Sequence, residues 1–155
     1  MPNAFRQLRS TRAIKWLIVP RLIAGLPLVM LGVKHFIDPE HFRSILAASG
    51  IPMIGINMIA APAAEIAAGA LLLLGWYGRI GGALGVATMV PAIYSTVVIG
   101  RLDPAHLPAG VSTKPFVPPL PLPLAVLMCS IIVVVLGAGA WSADLRSRQR
   151  PTVSS

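Results

Sequence analysis

The chain has 155 residues, of which 55% are hydrophobic and only 12% charged. A soluble domain carries about 25% charged residues, so these proportions exclude an ordinary water-soluble globule and favour a protein that turns an apolar belt to lipid. The formal net charge of +8 does not point to nucleic acid, because the basic residues cluster at the two ends and around the apolar runs, a pattern suited to anionic headgroups and topology control.

Residues 1–13 form a basic arm carrying Arg6, Arg9 and Arg12. A charged front followed by an apolar stretch imitates a secretory signal peptide. The run over 14–37 is longer than a signal core of roughly 7–15 residues, and no small-x-small cleavage site follows it. It reads as an uncleaved first span holding Lys15, Arg21 and Lys34.

The connection 38–53 begins Asp38-Pro39-Glu40, which supplies a cap, a proline for the first helical position and an acid for the positive end of the dipole. With Phe42, Ile45 and Leu46 on one face, it predicts a short amphipathic helix at the membrane interface, closed by Ser49-Gly50 and Pro52. A plain ordered loop is the other reading.

The second span, 54–77, has Glu65 almost at its centre and Trp76-Tyr77 at its end, where aromatic anchors are expected. A charge at mid-span is costly and calls for a partner or a function. Gly78-Arg79 reads as a tight turn into a third, uncharged span over 80–99, which makes spans two and three antiparallel neighbours. Residues 100–117 are rich in Pro and Gly and read as irregular. Pro118, Pro119, Pro121 and Pro123 give an extended entry to a fourth span over 123–141. Asp144, Arg146, Arg148 and Arg150 then lead into a basic, Ser-rich tail over 145–155. The fold class is therefore all-α, an antiparallel four-helix transmembrane bundle over 14–144. The heavier basic side places both termini and the Gly78-Arg79 turn in the cytoplasm.

Lipid provides little hydrophobic drive between helices, so small-residue faces must pack them. Candidates are Arg21, Gly25, Leu28 and Gly32 on the first span. The second offers Ala60, Ala64 and Ala68, and a further stripe of Asn57, Ala61, Glu65 and Gly69. The third offers Gly81, Gly85, Thr88 and Ala92. Arg21 lies about 9 Å into its span and Glu65 about 18 Å into its own, at about 1.5 Å per residue. An inward-turned Arg21 would pair with Glu65; the alternative is that it snorkels to the headgroups. Arg21, Glu65, Asn57 and Tyr94 form the candidate intramembrane polar site.

There is no Cys-x-x-Cys pair, no facing pair of span histidines for haem, no phosphate-binding glycine loop, no Ser–His–Asp set and no metal motif. The lone Cys129 permits no intrachain disulfide and reads as a small apolar residue. No cofactor is bound by a sequence motif, so redox chemistry would need a diffusible carrier such as quinone or a partner's cofactor.

The segments RLIAGLPLVMLGVKHFIDPEHF, AAEIAAGALLLLGWYGRIGG and GAGAWSADLR, in this order and spacing, resemble the DoxX/DoxD-like family of small four-span bacterial membrane proteins. The long Pro-rich entry to the fourth span departs from the family pattern. One branch of that family is similar to a subunit of a thiosulfate:quinone oxidoreductase. Some actinobacterial relatives are linked to membrane oxidoreductase complexes that handle oxidative and thiol stress. By position, the resemblance carries over Arg21, Lys34, Glu65, Arg79 and Asp144 as matching polar residues, with Lys34, Arg79 and Asp144 at topology or interface positions.

Two functions follow as expectations. One is a quinone-facing subunit of a membrane-associated oxidoreductase in the bacterial cytoplasmic membrane, with Arg21 as donor, Glu65 as proton source and Tyr94 in the pocket. The other is a non-catalytic membrane adaptor or assembly protein, its basic tails or the 40–48 segment holding membrane or cytoplasmic oxidoreductase subunits. A small transporter fits less well, because there is no second intramembrane acid and no broken-helix pair.

Overall fold

The computed structural model describes residues 13–148, and the outer parts of both basic ends lie outside that range. A 3-10 turn, Lys15–Leu17, leads into α1 (Ile18–Ile37), α2 (Pro39–Ala48), α3 (Ile54–Leu74), α4 (Gly78–Arg101), α5 (Pro121–Leu136) and α6 (Ala143–Arg148). There are no strands among the described residues. The segments Lys15–Ile37, Ile54–Leu74 and Gly78–Arg101 are helices long and apolar enough to cross a membrane, whereas α5 is apolar but has only 16 residues.

Residues 38–53 contain the expected helix. Asp38 Oδ1 accepts the His41 N–H at 3.1 Å and Pro39 occupies the first turn, so α2 is capped as its sequence requires. Other boundaries differ from the sequence reading: the third span is longer than 80–99, at Gly78–Arg101, the fourth begins at Pro121 and not Pro123, and two helices end early at glycines. The second span ends at Leu74 and does not run through Tyr77, because Gly75 (φ 63°) enters the left-handed region. The Gly75 N–H donates to Leu72 O and the Trp76 N–H to Leu71 O, both at 3.2 Å, closing the helix as a Schellman motif. The turn is therefore Gly75–Tyr77, and Gly78 already opens α4. The fourth helix ends at Leu136 and not near Trp141, because Gly137 (φ 84°) breaks it. In both places the apolar composition continues past a break that the backbone dictates.

The helices meet through missing side chains. A Cβ on Gly69 would stand 2.7 Å from Gly25 O and 2.9 Å from Val29 N, and one on Gly82 would stand 2.8 Å from Ser130 O. On α1 the buried face is the expected one, with Arg21, Gly25, Leu28 and Gly32. On α3 it runs through Pro62, Glu65, Ala68, Gly69 and Leu72, so the alanine stripe is buried at Ala68 but exposed at Ala60. The central core gathers Ala24, Leu28, Ala68, Leu72, Met89, Val126 and Val133. The outward faces keep large apolar side chains such as Leu22, Met30, Ile59, Val90 and Met128, a surface suited to lipid.

Gly69→Ala is expected to cost about 1–3 kcal/mol, because backbone atoms of α1 cannot step aside as a flexible side chain would. Gly55→Ala meets open space and should leave the thermal midpoint in detergent unchanged. Equal midpoints for the two variants would contradict the close contact of α1 and α3.

The connection from α4 to α5 carries its own polar turn. Asp103 Oδ1 accepts the Ala105 N–H at 3.0 Å, and its Oδ2 lies 2.9 Å from His106 Nδ1. The Ala105 amide first, and His106 second, hold the Asp103 carboxyl below the usual carboxylate range.

Candidate functional site

Near the end of the bundle where α1 finishes and α3 begins, a cavity of about 110 Å³ is bordered by α1 to α5 and the irregular segment before α5. Its wall is mainly apolar, with Leu31, Phe42, Leu46, Met89 and Val126 among its members. Pro91 and Leu122 line it and are exposed, which places an opening toward the outer surface beside α4 and the start of α5.

One polar pair faces this space. Glu65 Oε2 lies 3.0 Å from His35 Nδ1, with the Glu65 side chain 6% and the His35 side chain 14% exposed. The pairing follows from helix geometry. Side chains on a helix lean toward its N-terminus. Because α1 and α3 run antiparallel, His35 leans back along α1 while Glu65 leans the opposite way along α3, and the two converge. Phe42 of α2 stacks on the His35 ring at 4.0 Å between centroids and 16° between planes. The His41 Nε2, 3.0 Å from Phe116 O, ties α2 to the segment that carries Val117 and Pro118 into the wall.

The same lean separates Arg21 from Glu65, so the expected Arg21–Glu65 pair is not formed. Arg21 points toward the opposite end of the bundle, 3% exposed. Its Nε donates to Leu72 O at 2.7 Å, Nη2 to Leu73 O at 2.8 Å, and Nη1 to Ala138 O and Trp141 O, both at 3.0 Å. The guanidinium thus completes the C-terminus of α3 and anchors the segment after α5. Nor does Arg21 snorkel to the headgroups. Asp144 works beside it, its Oδ1 accepting Tyr77 N–H and its Oδ2 accepting Gly78 N–H, each at 2.9 Å, while the Asp144 N–H donates to Gly75 O at 3.1 Å. Two short loops are stapled together by two buried side chains.

The remaining sequence candidates divide cleanly. Asn57 lines the cavity, its amide nitrogen donating to Pro52 O at 2.9 Å. Tyr94 is 54% exposed on the outer face of α4 and does not reach the cavity. Lys34 is exposed next to His35, and an Arg79 Nη2 donates to Val135 O at 3.2 Å. The residue missed by sequence reasoning is His35. The α1 stripe Arg21, Gly25, Leu28, Gly32 alternates steps of four and three, and its next member is His35.

A pair of this kind can hold and pass a proton at a carbonyl or hydroxyl oxygen of a bound molecule. An apolar cavity of about 150 Å³ holds a benzene ring; the space here, about 110 Å³, is smaller, so a ring would occupy it together with the opening beside α4 and α5. Among the described residues, no group of three or more His, Cys, Asp or Glu side chains is placed to hold a metal ion.

A family model described as DoxX matches residues 16–98, more than half of the chain, and this stretch contains both Arg21 and the His35–Glu65 pair. No curated protein and no solved structure matches the chain.

Proposed function

The chain belongs to the DoxX family, and from that premise we propose that it is a quinone-binding subunit of an oxidoreductase complex in the bacterial cytoplasmic membrane. The His35–Glu65 pair would supply the polar contact and the proton. One observation carries this reading: a buried carboxylate hydrogen-bonded to a half-buried imidazole stands on a mainly apolar cavity. A buried ionisable pair at membrane depth is expensive unless it does work. A quinone brings an apolar ring, carbonyls that need a donor, and a prenyl tail that stays in lipid beside the opening.

In this reading α5 is the fourth crossing. Its helix spans about 24 Å at about 1.5 Å per residue, and the segment through Trp141 completes the passage. Arg79 and Arg146, with the basic ends, mark the cytoplasmic side, and the cavity lies toward the opposite face. Arg21 and Asp144 build the scaffold; His35 and Glu65 touch the ligand. Partner subunits would supply the electron donor or acceptor.

Purified protein in nanodiscs is expected to bind short-chain 1,4-quinone analogues, and Glu65→Gln to weaken that binding at least tenfold. Equal binding by wild type and Glu65→Gln would remove the pair from the site. Absence of quinone binding, together with recovery of a stable partner from native membranes that survives Glu65→Gln, would favour the adaptor instead.

A further inference from the structure

We propose that Ser95 is a second recognition point in the same cavity, and that the site selects a ring bearing oxygen functions on two opposite edges over a ring bearing one. This rests on the quinone reading above and adds what it leaves open: the substitution pattern the site requires.

Ser95 lies on α4, 4% exposed, and lines the cavity. Its neighbours on that wall have spent their hydroxyls within their own helix, Thr88 Oγ1 donating to Gly85 O at 3.2 Å and Thr96 Oγ1 to Ala92 O at 2.9 Å. The amide nitrogen of Asn57 is spent on Pro52 O and Met53 O. The Ser95 hydroxyl makes no hydrogen bond to any described residue, yet it is not sealed away, since Ser130 Oγ alone is both fully enclosed and without a partner among them. A buried serine in a helix ordinarily turns back onto the carbonyl one turn earlier. A hydroxyl left open to a cavity has its hydrogen-bonding capacity available to whatever fills that cavity, and leaving it unmade is costly.

On this proposal the site has two poles. His35 and Glu65 come from α1 and α3, and Ser95 from α4, and all three helices line the space. A molecule with one polar edge satisfies one pole and strands the other. A 1,4-quinone or hydroquinone satisfies both, one oxygen at the His35–Glu65 pair and the other at the Ser95 hydroxyl, which can donate to a carbonyl or accept from a phenol. Sites built to pair a ligand oxygen reject the analogue that lacks it, because the protein group is then left unpaired.

The test compares two probes of equal size and tail, a short-chain 1,4-benzoquinone and the matching cyclohexenone, against wild type and Ser95→Ala in nanodiscs. The thermal midpoint is read in parallel to confirm that both proteins are folded. Wild type should prefer the two-oxygen ring by tenfold or more. Ser95→Ala should bind that ring about tenfold more weakly, bind cyclohexenone at least as tightly as wild type does and so erase the preference. Wild-type binding of both probes with equal affinity, or a Ser95→Ala variant that keeps the full preference, overturns the role of Ser95 while the quinone reading stands. Binding of neither probe by wild type overturns both.

Discussion

Arg21→Met is expected to lower stability by about 3–5 kcal/mol, the largest loss for any single substitution in this chain. Four carbonyls depend on one guanidinium: Leu72 O, Leu73 O, Ala138 O and Trp141 O. A hydrogen bond to a charged group contributes about 1.5–3 kcal/mol, and a buried acceptor left without a donor costs about 1–3 kcal/mol. Simple addition would overshoot, since the loops can relax and admit water, and the lower sum already exceeds what most mutations do. Methionine keeps the volume and removes every donor, so the effect reads the hydrogen bonds and not a cavity. Arg21→Lys should recover less than half of the loss, because a single ammonium cannot span carbonyls on both α3 and the segment after α5. Thermal unfolding in detergent measures both. A fall of less than about 1 kcal/mol for Arg21→Met would mean that the guanidinium is a headgroup-facing cation after all. At a temperature where the variant remains folded, its ring affinity should match wild type, which separates scaffold from site.

Why Arg21 was legible as important but not as to its partner is a matter of direction. Counting residues from each span end gives Cα depth, and by depth Arg21 and Glu65 are only about 9 Å apart. Side chains do not leave a helix level with their Cα, and on antiparallel helices the lean that joins His35 to Glu65 carries Arg21 away from it. Composition had the same blind spot at helix ends. The apolar runs were plain in the sequence, but Gly75 and Gly137, which stop α3 and α5 with positive φ, are single residues within stretches that read as continuous. His35 sits at the end of an apolar run, where composition gives it no weight, yet the four-and-three spacing from Arg21 through Gly32 leads to it. Ser95 had no sequence signal at all. Its significance lies in what Thr88, Thr96 and Asn57 bond to, and such commitments exist only in the folded chain.

The second large effect separates the stability of the His35–Glu65 pair from its function. His35→Leu alone leaves a buried Glu65 without its partner, and Glu65→Leu alone leaves His35 held under Phe42 with its Nδ1 unpaired. Each single variant should lose about 2–4 kcal/mol, the cost of orphaning a buried polar group. The double variant His35→Leu/Glu65→Leu removes both polar groups at once and replaces them with apolar volume against an already apolar wall. Replacing a buried pair in this way is often neutral or stabilising, so the double variant should return to within about 1 kcal/mol of wild type. The difference between the double loss and the summed single losses is the coupling energy, expected to exceed about 2 kcal/mol for groups 3.0 Å apart. Ring binding must behave differently. If the pair only locked α1 to α3, restoring stability would restore affinity for a 1,4-quinone analogue. If the pair is what the ring oxygen meets, the double variant will be well folded and will bind at least a hundredfold more weakly than wild type. A stable double variant that still binds would leave the pair a packing device, and a double variant as unstable as the sum of its parts would mean that His35 and Glu65 are held by neighbours independently and are not coupled.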